Sequence, residues 1–218
     1  MEAQLNRTTK DIHGTKVGQR LYVSTSPEPV QMFKSKWIEV LSRTPFYLIP
    51  LIYLPLGAFA LYQVGISVLS LEFVVAGFLF WTFSEYFLHR FFFHWTPPGK
   101  IGERLHFIYH GVHHDFPNDK ARLVFAPILG LPLTYLHFLA YKMVLGLPNA
   151  YPFFCGYITG YVLYDMMHYA LHHYNIKGSY WQKMKENHMR HHFADPEKGF
   201  GVSSPIWDHV FDTVLTKK

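Results

Sequence analysis

The 218-residue chain is 50% hydrophobic and 18% aromatic but only 16% charged, against about 25% charged in ordinary soluble domains, and its length fits one domain. Its single cysteine, Cys155, excludes an internal disulfide and any cysteine-rich zinc or iron–sulfur site. The net charge of +5 comes from basic residues that flank apolar stretches, with no recognisable nucleic-acid-binding module, which argues against nucleic acid as a partner.

Residues 1–20 are polar and without periodicity and read as an arm. No apolar segment in residues 1–43 resembles a cleavable signal, so targeting is expected from the later hydrophobic segments. In residues 33–42, Phe33, Trp37, Ile38 and Leu41 alternate with Lys34, Lys36 and Glu39. That is an amphipathic helix, compatible with lying on a membrane surface or with packing on the domain. Residues 44–71 carry no charge and are long enough to cross about 30 Å of hydrocarbon at 1.5 Å per residue. Pro45, Pro50 and Pro55 predict a kinked start. Apolar character resumes over 71–88, interrupted only by Glu72 and Glu85, after a weak break at 63–67. A helical hairpin is expected, entering near Phe46 and leaving near His89. Glu85, one turn before His89, is either a boundary residue or a partner that orients an imidazole.

Residues 89–122 form a polar block, and 123–147 are apolar again, with Lys142 near the far end and His137 isolated. A turn is expected at Pro148, Asn149 and Ala150, followed by a return through 151–163 that ends at Asp165 and His168. Basic residues precede the first hairpin, lie between the hairpins and follow the second, while the tips carry almost none. The positive-inside rule then puts both termini and the polar blocks on the cytosolic side. The expected fold is an all-α integral membrane protein. Four transmembrane helices form two hairpins under a cytosolic helical cap, with an arm and amphipathic helix over 1–43 and a membrane-embedded domain over 44–218.

The polar blocks carry the chemistry. Ten histidines fall in four clusters: His89 with His94; His110, His113 and His114; His168 with His172; and His188, His191 and His192. Residues three and four apart share a helix face, so each cluster aims its imidazoles together. Neutral imidazole is the commonest metal ligand. Ten nitrogens exceed what one ion holds, since zinc takes four and octahedral ions six, so two metals with about five imidazoles each are inferred. Adjacent His113 and His114, like His191 and His192, diverge by about 100° around a helix, and each pair can serve two ions. A single cysteine in an apolar run and an isolated His137 read as packing residues.

An all-nitrogen dimetal centre at a membrane boundary suits two iron ions that, given electrons, reduce O2 and oxidise an unactivated C–H bond, chemistry no side chain performs. Asp165, one turn before His168, is the strongest candidate for a carboxylate that orients a ligand; Asp115, Asp195 and Asp208 are weaker ones.

The motifs His89-Arg90-Phe91-Phe92-Phe93-His94, His110-Gly111-Val112-His113-His114, Tyr164-Asp165-x2-His168-Tyr169-x2-His172-His173 and His188-x2-His191-His192 resemble the fatty acid hydroxylase/sterol desaturase superfamily. Arg43 through Tyr47, Arg122 through Pro127, Gly199 through Val202 and Trp207-Asp208 are similar to its fatty acid 2-hydroxylase branch. The resemblance runs from about Val17 to Thr216. It implies a four-span enzyme whose ten histidines hold two iron ions, with zinc an alternative in purified material, and O2-dependent hydroxylation of the carbon next to the acyl carbonyl. The implied partners are a fatty acyl or ceramide substrate, the bilayer of the endoplasmic reticulum or of a bacterial inner membrane, and a separate electron donor such as cytochrome b5 or ferredoxin. That donor is expected to be separate because many relatives carry an N-terminal haem domain, and no His-Pro-Gly-Gly stretch occurs here. Asp212 stands where relatives often have glycine, and Asn187 where an aromatic often precedes the last motif. Two other readings remain: a related oxidase of sterols, carotenoids or other lipids, and a metal transporter or store, which would require ionisable residues along the spans.

Overall fold

A computed structural model describes residues 23–24 and 26–215; the arm read at 1–20 lies outside them. Among the described residues the regular elements are all helical. They are α1 (Lys36–Leu41), α2 (Leu48–Tyr62), α3 (Val68–Leu88) continuing as a π-helical turn (His89–Phe93), α4 (Gly99–His106) continuing as a second π turn (Phe107–Gly111) into α5 (Val112–Asp115), α6 (Pro127–Leu145), α7 (Leu147–His173), α8 (Ser179–Phe193) and α9 (Ile206–Val210).

Both expected hairpins form, by different turn chemistry. After α2, Gly65 takes a positive φ of 72°. Ser67 then caps α3, its hydroxyl accepting from the Ser70 amide while the Ser70 hydroxyl accepts from the Ser67 amide, a reciprocal capping box. The second reversal is not at 148–150. It is made by Gly146 alone at φ 74°, where a side chain would be strained. Pro148 instead sits in the first turn of α7, where its missing N–H costs nothing.

Helices α3 with its π turn (Val68–Phe93) and α6 are long and apolar enough to cross a membrane, and α2 is a shorter apolar helix. Helix α7 is less apolar because the other three enclose it: Tyr157, Ile158, Tyr161, Val162, Tyr164 and Leu171 are buried. At 27 residues it extends about 40 Å, so its last turns carry His168 and His172 beyond the apolar part. The α3–α7 crossing is backbone on backbone. A Cβ on Gly77 would lie 1.9 Å from the Phe153 carbonyl oxygen, and one on Gly156 1.8 Å from that of Val74. Gly160, four residues on, faces Trp81. This is the small-xxx-small pattern of close helix pairs.

Helix α1 attaches by its polar residue. Glu39 is buried and accepts from the Met32 and Phe33 amides at 3.0 Å and from Arg43 and Arg122 at 2.8 and 2.6 Å. Trp37, Ile38, Val40 and Leu41 are exposed, Trp37 by 83%. The helix is therefore anchored to the domain while its apolar side faces outward. The Arg122 side chain is 2% exposed. Arg122→Ala strands the Glu39 carboxylate, with Arg43 as its remaining cation, and is expected to cost about 3 kcal/mol, read as a lowered unfolding temperature.

Candidate metal centre

Each histidine reaches its place by a local device. His89 and His94 are five apart, a spacing that would splay them by about 140° on an α-helix. The π turn closes this gap: the His94 N–H donates to the His89 carbonyl at 3.2 Å, and the two Nε2 atoms lie 3.3 Å apart. The second π turn delivers His110, and α5 adds His114 with its Nε2 3.0 Å from that of His110. Such single π turns recur at functional sites.

The ten imidazoles converge as two groups of five. His89, His94, His110, His114 and His191 form one; His113, His168, His172, His188 and His192 form the other, with the ring nitrogens of each group within 4.8 Å of one another. Neighbours in sequence divide: His113 and His114 go to different groups, as do His191 and His192. The rings of His114 and His192 stack across the boundary, centroids 4.2 Å apart. His106, His137 and His173 belong to neither group; His137 lies against Tyr157 and His173 against Tyr169.

Hydrogen bonding cannot account for this geometry. His94 Nε2 lies 3.3, 3.1 and 3.3 Å from the Nε2 atoms of His89, His191 and His110. The Nδ1 of His89 faces the Phe200 carbonyl at 2.6 Å and that of His191 the Lys198 carbonyl at 2.7 Å. Those Nδ1 atoms are the donors, so in the neutral rings both Nε2 atoms are bare lone pairs. His94 Nε2 carries one proton at most and cannot satisfy both of these bare acceptors. In the second group, His168 to His113, His172 to His188 and His192 to His188 are 3.0, 2.8 and 3.2 Å apart. Nitrogens at right angles on bonds of about 2.1 Å to a shared cation stand about 3.0 Å apart. The donor set of each group fits one metal ion.

Burial, reinforced by neighbouring imidazoles, holds His113 and His114 well below the usual histidine range. Burial, opposed by the Lys198 carbonyl, brings His191 from 6.5 down to about 4. The rings therefore stay neutral and able to bind metal in mild acid. Between pH 6.5 and about 4 the unfolded chain binds more protons than the folded one, so stability rises with pH across that window. Chelator-treated protein is expected to unfold at a lower temperature at pH 5 than at pH 7.5.

Asp165 is buried and lies against the Tyr161 hydroxyl and the Phe125 amide; its Oδ2 has no hydrogen-bond partner. Asp115 and Asp208 are buried, and Asp195 caps its own turn by accepting from the Glu197 amide. The sequence pattern missed the backbone carbonyls that orient His89 and His191, since no residue type announces them. A cavity of about 330 Å³ reaches the centre, within the size range of small-molecule sites. Its walls include Ile38 and Leu41 of α1, Leu133 of α6 and Ile158 of α7, and it touches His110 of one group and His113 and His168 of the other.

A family model described as fatty acid hydroxylase matches residues 74–213, a stretch containing all ten histidines. The chain belongs to this family. It is 37% identical over 215 residues to the mouse fatty acid 2-hydroxylase, covering 87% of this chain but 58% of that protein. It is 36% identical over 200 residues to a dihydroceramide fatty acyl 2-hydroxylase of Arabidopsis thaliana, covering 90% and 84%. The solved hydroxylase domain of scs7p aligns with a TM-score of 0.79 at 35% identity, over 83% of this chain and 70% of that one. The chain thus spans a little over half the length of the mammalian relatives. Asp212 takes a φ of 54°, a left-handed conformation that aspartate is among the residues to tolerate.

Proposed function

We propose that this chain hydroxylates the carbon next to the carbonyl, the 2-position, of a long-chain fatty acid or of a ceramide N-acyl chain. The observation that carries this reading is the cavity that touches both histidine groups: an acyl chain lying in it would pass beside His110 of one group and His113 and His168 of the other. The relatives' names, fatty acid 2-hydroxylase and dihydroceramide fatty acyl 2-hydroxylase, support the substrate class.

In this reading each group of five imidazoles holds one iron ion. Bound there, the pair supplies reduction of O2 with two electrons and two protons from a separate donor such as cytochrome b5 or ferredoxin, one oxygen entering the C–H bond and the other leaving as water. The chain's own contribution is position and exclusion. The cavity wall would strip water from the acyl chain and limit the reactive carbons to those beside His110, His113 and His168. Asp165 lines the same cavity one turn before His168 and lies near the Phe125 amide at the entry to α6, a place from which it would keep those ligands in register.

Residues 44–218 are proposed to sit in the membrane with α2, α3, α6 and α7 as four spans, the histidines and both termini cytosolic. Charge asymmetry supports this orientation, as does the outward apolar side of α1, which suits an interfacial helix. The membrane is that of the endoplasmic reticulum in a eukaryote or the inner membrane in a bacterium.

Mass spectrometry of fatty acids and sphingolipids from cells making the chain tests the reaction. A 2-hydroxyacyl product that depends on the native chain is expected, and Asp165→Asn should reduce it on the order of 10–100-fold. No such product with an added redox partner would overturn the assignment and favour a related lipid oxidase.

A further inference from the structure

The two histidine groups differ in how they are supported. In the first, the Nδ1 atoms of His89 and His191 are held by the carbonyls of Phe200 and Lys198, both on the loop between α8 and α9. In the second, the Nδ1 atoms of His168, His188 and His192 are buried without a hydrogen-bond partner.

The loop itself is held by two buried carboxylates, Glu85 and Asp208, 4% and 0% exposed. The Phe200 and Gly201 amides donate to the two oxygens of Asp208 at 2.9 and 2.8 Å. The Val202 and Ser203 amides both donate to Glu85 Oε1 at 2.7 Å, and the Ser203 hydroxyl donates to Oε2. Four consecutive amides are thus taken by two side chains, one from α3 and one from α9. Asp208 also accepts from the Thr213 hydroxyl at 2.8 Å, and the Thr213 carbonyl accepts from the Gly199 amide at 2.8 Å. The loop fits this cradle closely. Gly199 has φ 73°, and a Cβ on Gly201 would meet the Ser204 carbonyl oxygen at 2.1 Å and Asp208 Oδ2 at 2.8 Å.

We infer that Glu85 and Asp208 are positioning residues for one metal ion only, the one held by His89, His94, His110, His114 and His191. They act by fixing the loop whose carbonyls orient two of those rings. Each link, carboxylate to amide and carbonyl to imidazole N–H, is a hydrogen bond polarised in one direction, which sets the tautomer and strengthens the Nε2 lone pair. Three of the five rings that would hold the other ion have no such support, so the two ions should differ in affinity. The inference rests on the dimetal reading.

The test is an anaerobic cobalt(II) titration of the purified full chain, read by visible absorption and by competition with a chelator. The native chain should take up two ions. Glu85→Leu, and separately Asp208→Asn, which turns an acceptor into a donor facing an amide, should keep one ion at native affinity and weaken the other on the order of 10–100-fold. Glu85→Gln keeps an acceptor for both amides and should stay near native. His188→Ala should give the complementary pattern, losing the absorption bands that the Glu85 and Asp208 variants retain. Equal weakening of both ions in the carboxylate variants, as from a general folding defect, would overturn the inference, and so would no weakening of either. Fewer than two ions on the native chain would sink the dimetal reading and this assignment with it.

Discussion

His191→Ala is expected to abolish 2-hydroxyacyl product while leaving the chain inserted in membranes, and His168→Ala is expected to do the same from the other group. His191 contributes an Nε2 3.1 Å from that of His94 and uses its Nδ1 to engage the Lys198 carbonyl. Its removal takes a ligand from one group and leaves a buried carbonyl without its donor. His168 stands 3.0 Å from His113 and lines the cavity, so alanine there takes an imidazole from the second group where that group meets the cavity. Neither ring lies in the α3–α7 crossing that holds the helices together, and both variants should appear in the membrane fraction at native yield. Product mass spectrometry beside an immunoblot of that fraction decides the matter. Near-native turnover by either variant would mean that the ten imidazoles do not act as two five-ligand groups.

The second large effect is structural. Gly156→Val should prevent α7 from seating against α3, because even the first carbon of the side chain would stand 1.8 Å from the Val74 carbonyl oxygen. A flexible side chain could move aside; a helix backbone cannot without opening the whole interface. The expected cost exceeds the ~1–3 kcal/mol typical of overpacking a core. Loss of monodisperse protein on purification is the readout, with Leu163→Ala as the control, since Leu163 lies on the same helix and is 54% exposed. If Gly156→Val purified with a native unfolding temperature, the close backbone crossing would be wrong.

Both effects bear on how much could be read from the chain alone. The apolar segments, the helical class and the division of His113 from His114 and of His191 from His192 follow from local periodicity, because a helix turns by about 100° per residue whatever surrounds it. The even split followed too: two groups of five match the inference that ten histidines serve two ions with about five imidazoles each. The second hairpin was placed three residues late because proline dominates turn signals, whereas here the reversal needed only the positive φ of Gly146 and the proline served the next helix.

The sequence by itself therefore determined the helices, the histidine clusters and which neighbours must part company, since all of these are properties of a few consecutive residues. Only the tertiary structure decided which clusters meet: His94 faces His191 across 97 positions and His168 faces His113 across 55. It also decided that a π turn unites His89 with His94, that Gly77 and Gly156 bring two backbones into contact, and that Glu85 and Asp208 grip a loop instead of an imidazole. The physical reason is common to all of them. Each depends on backbone amides, carbonyls or empty space, which every residue type offers alike and which acquire a partner only when distant segments pack.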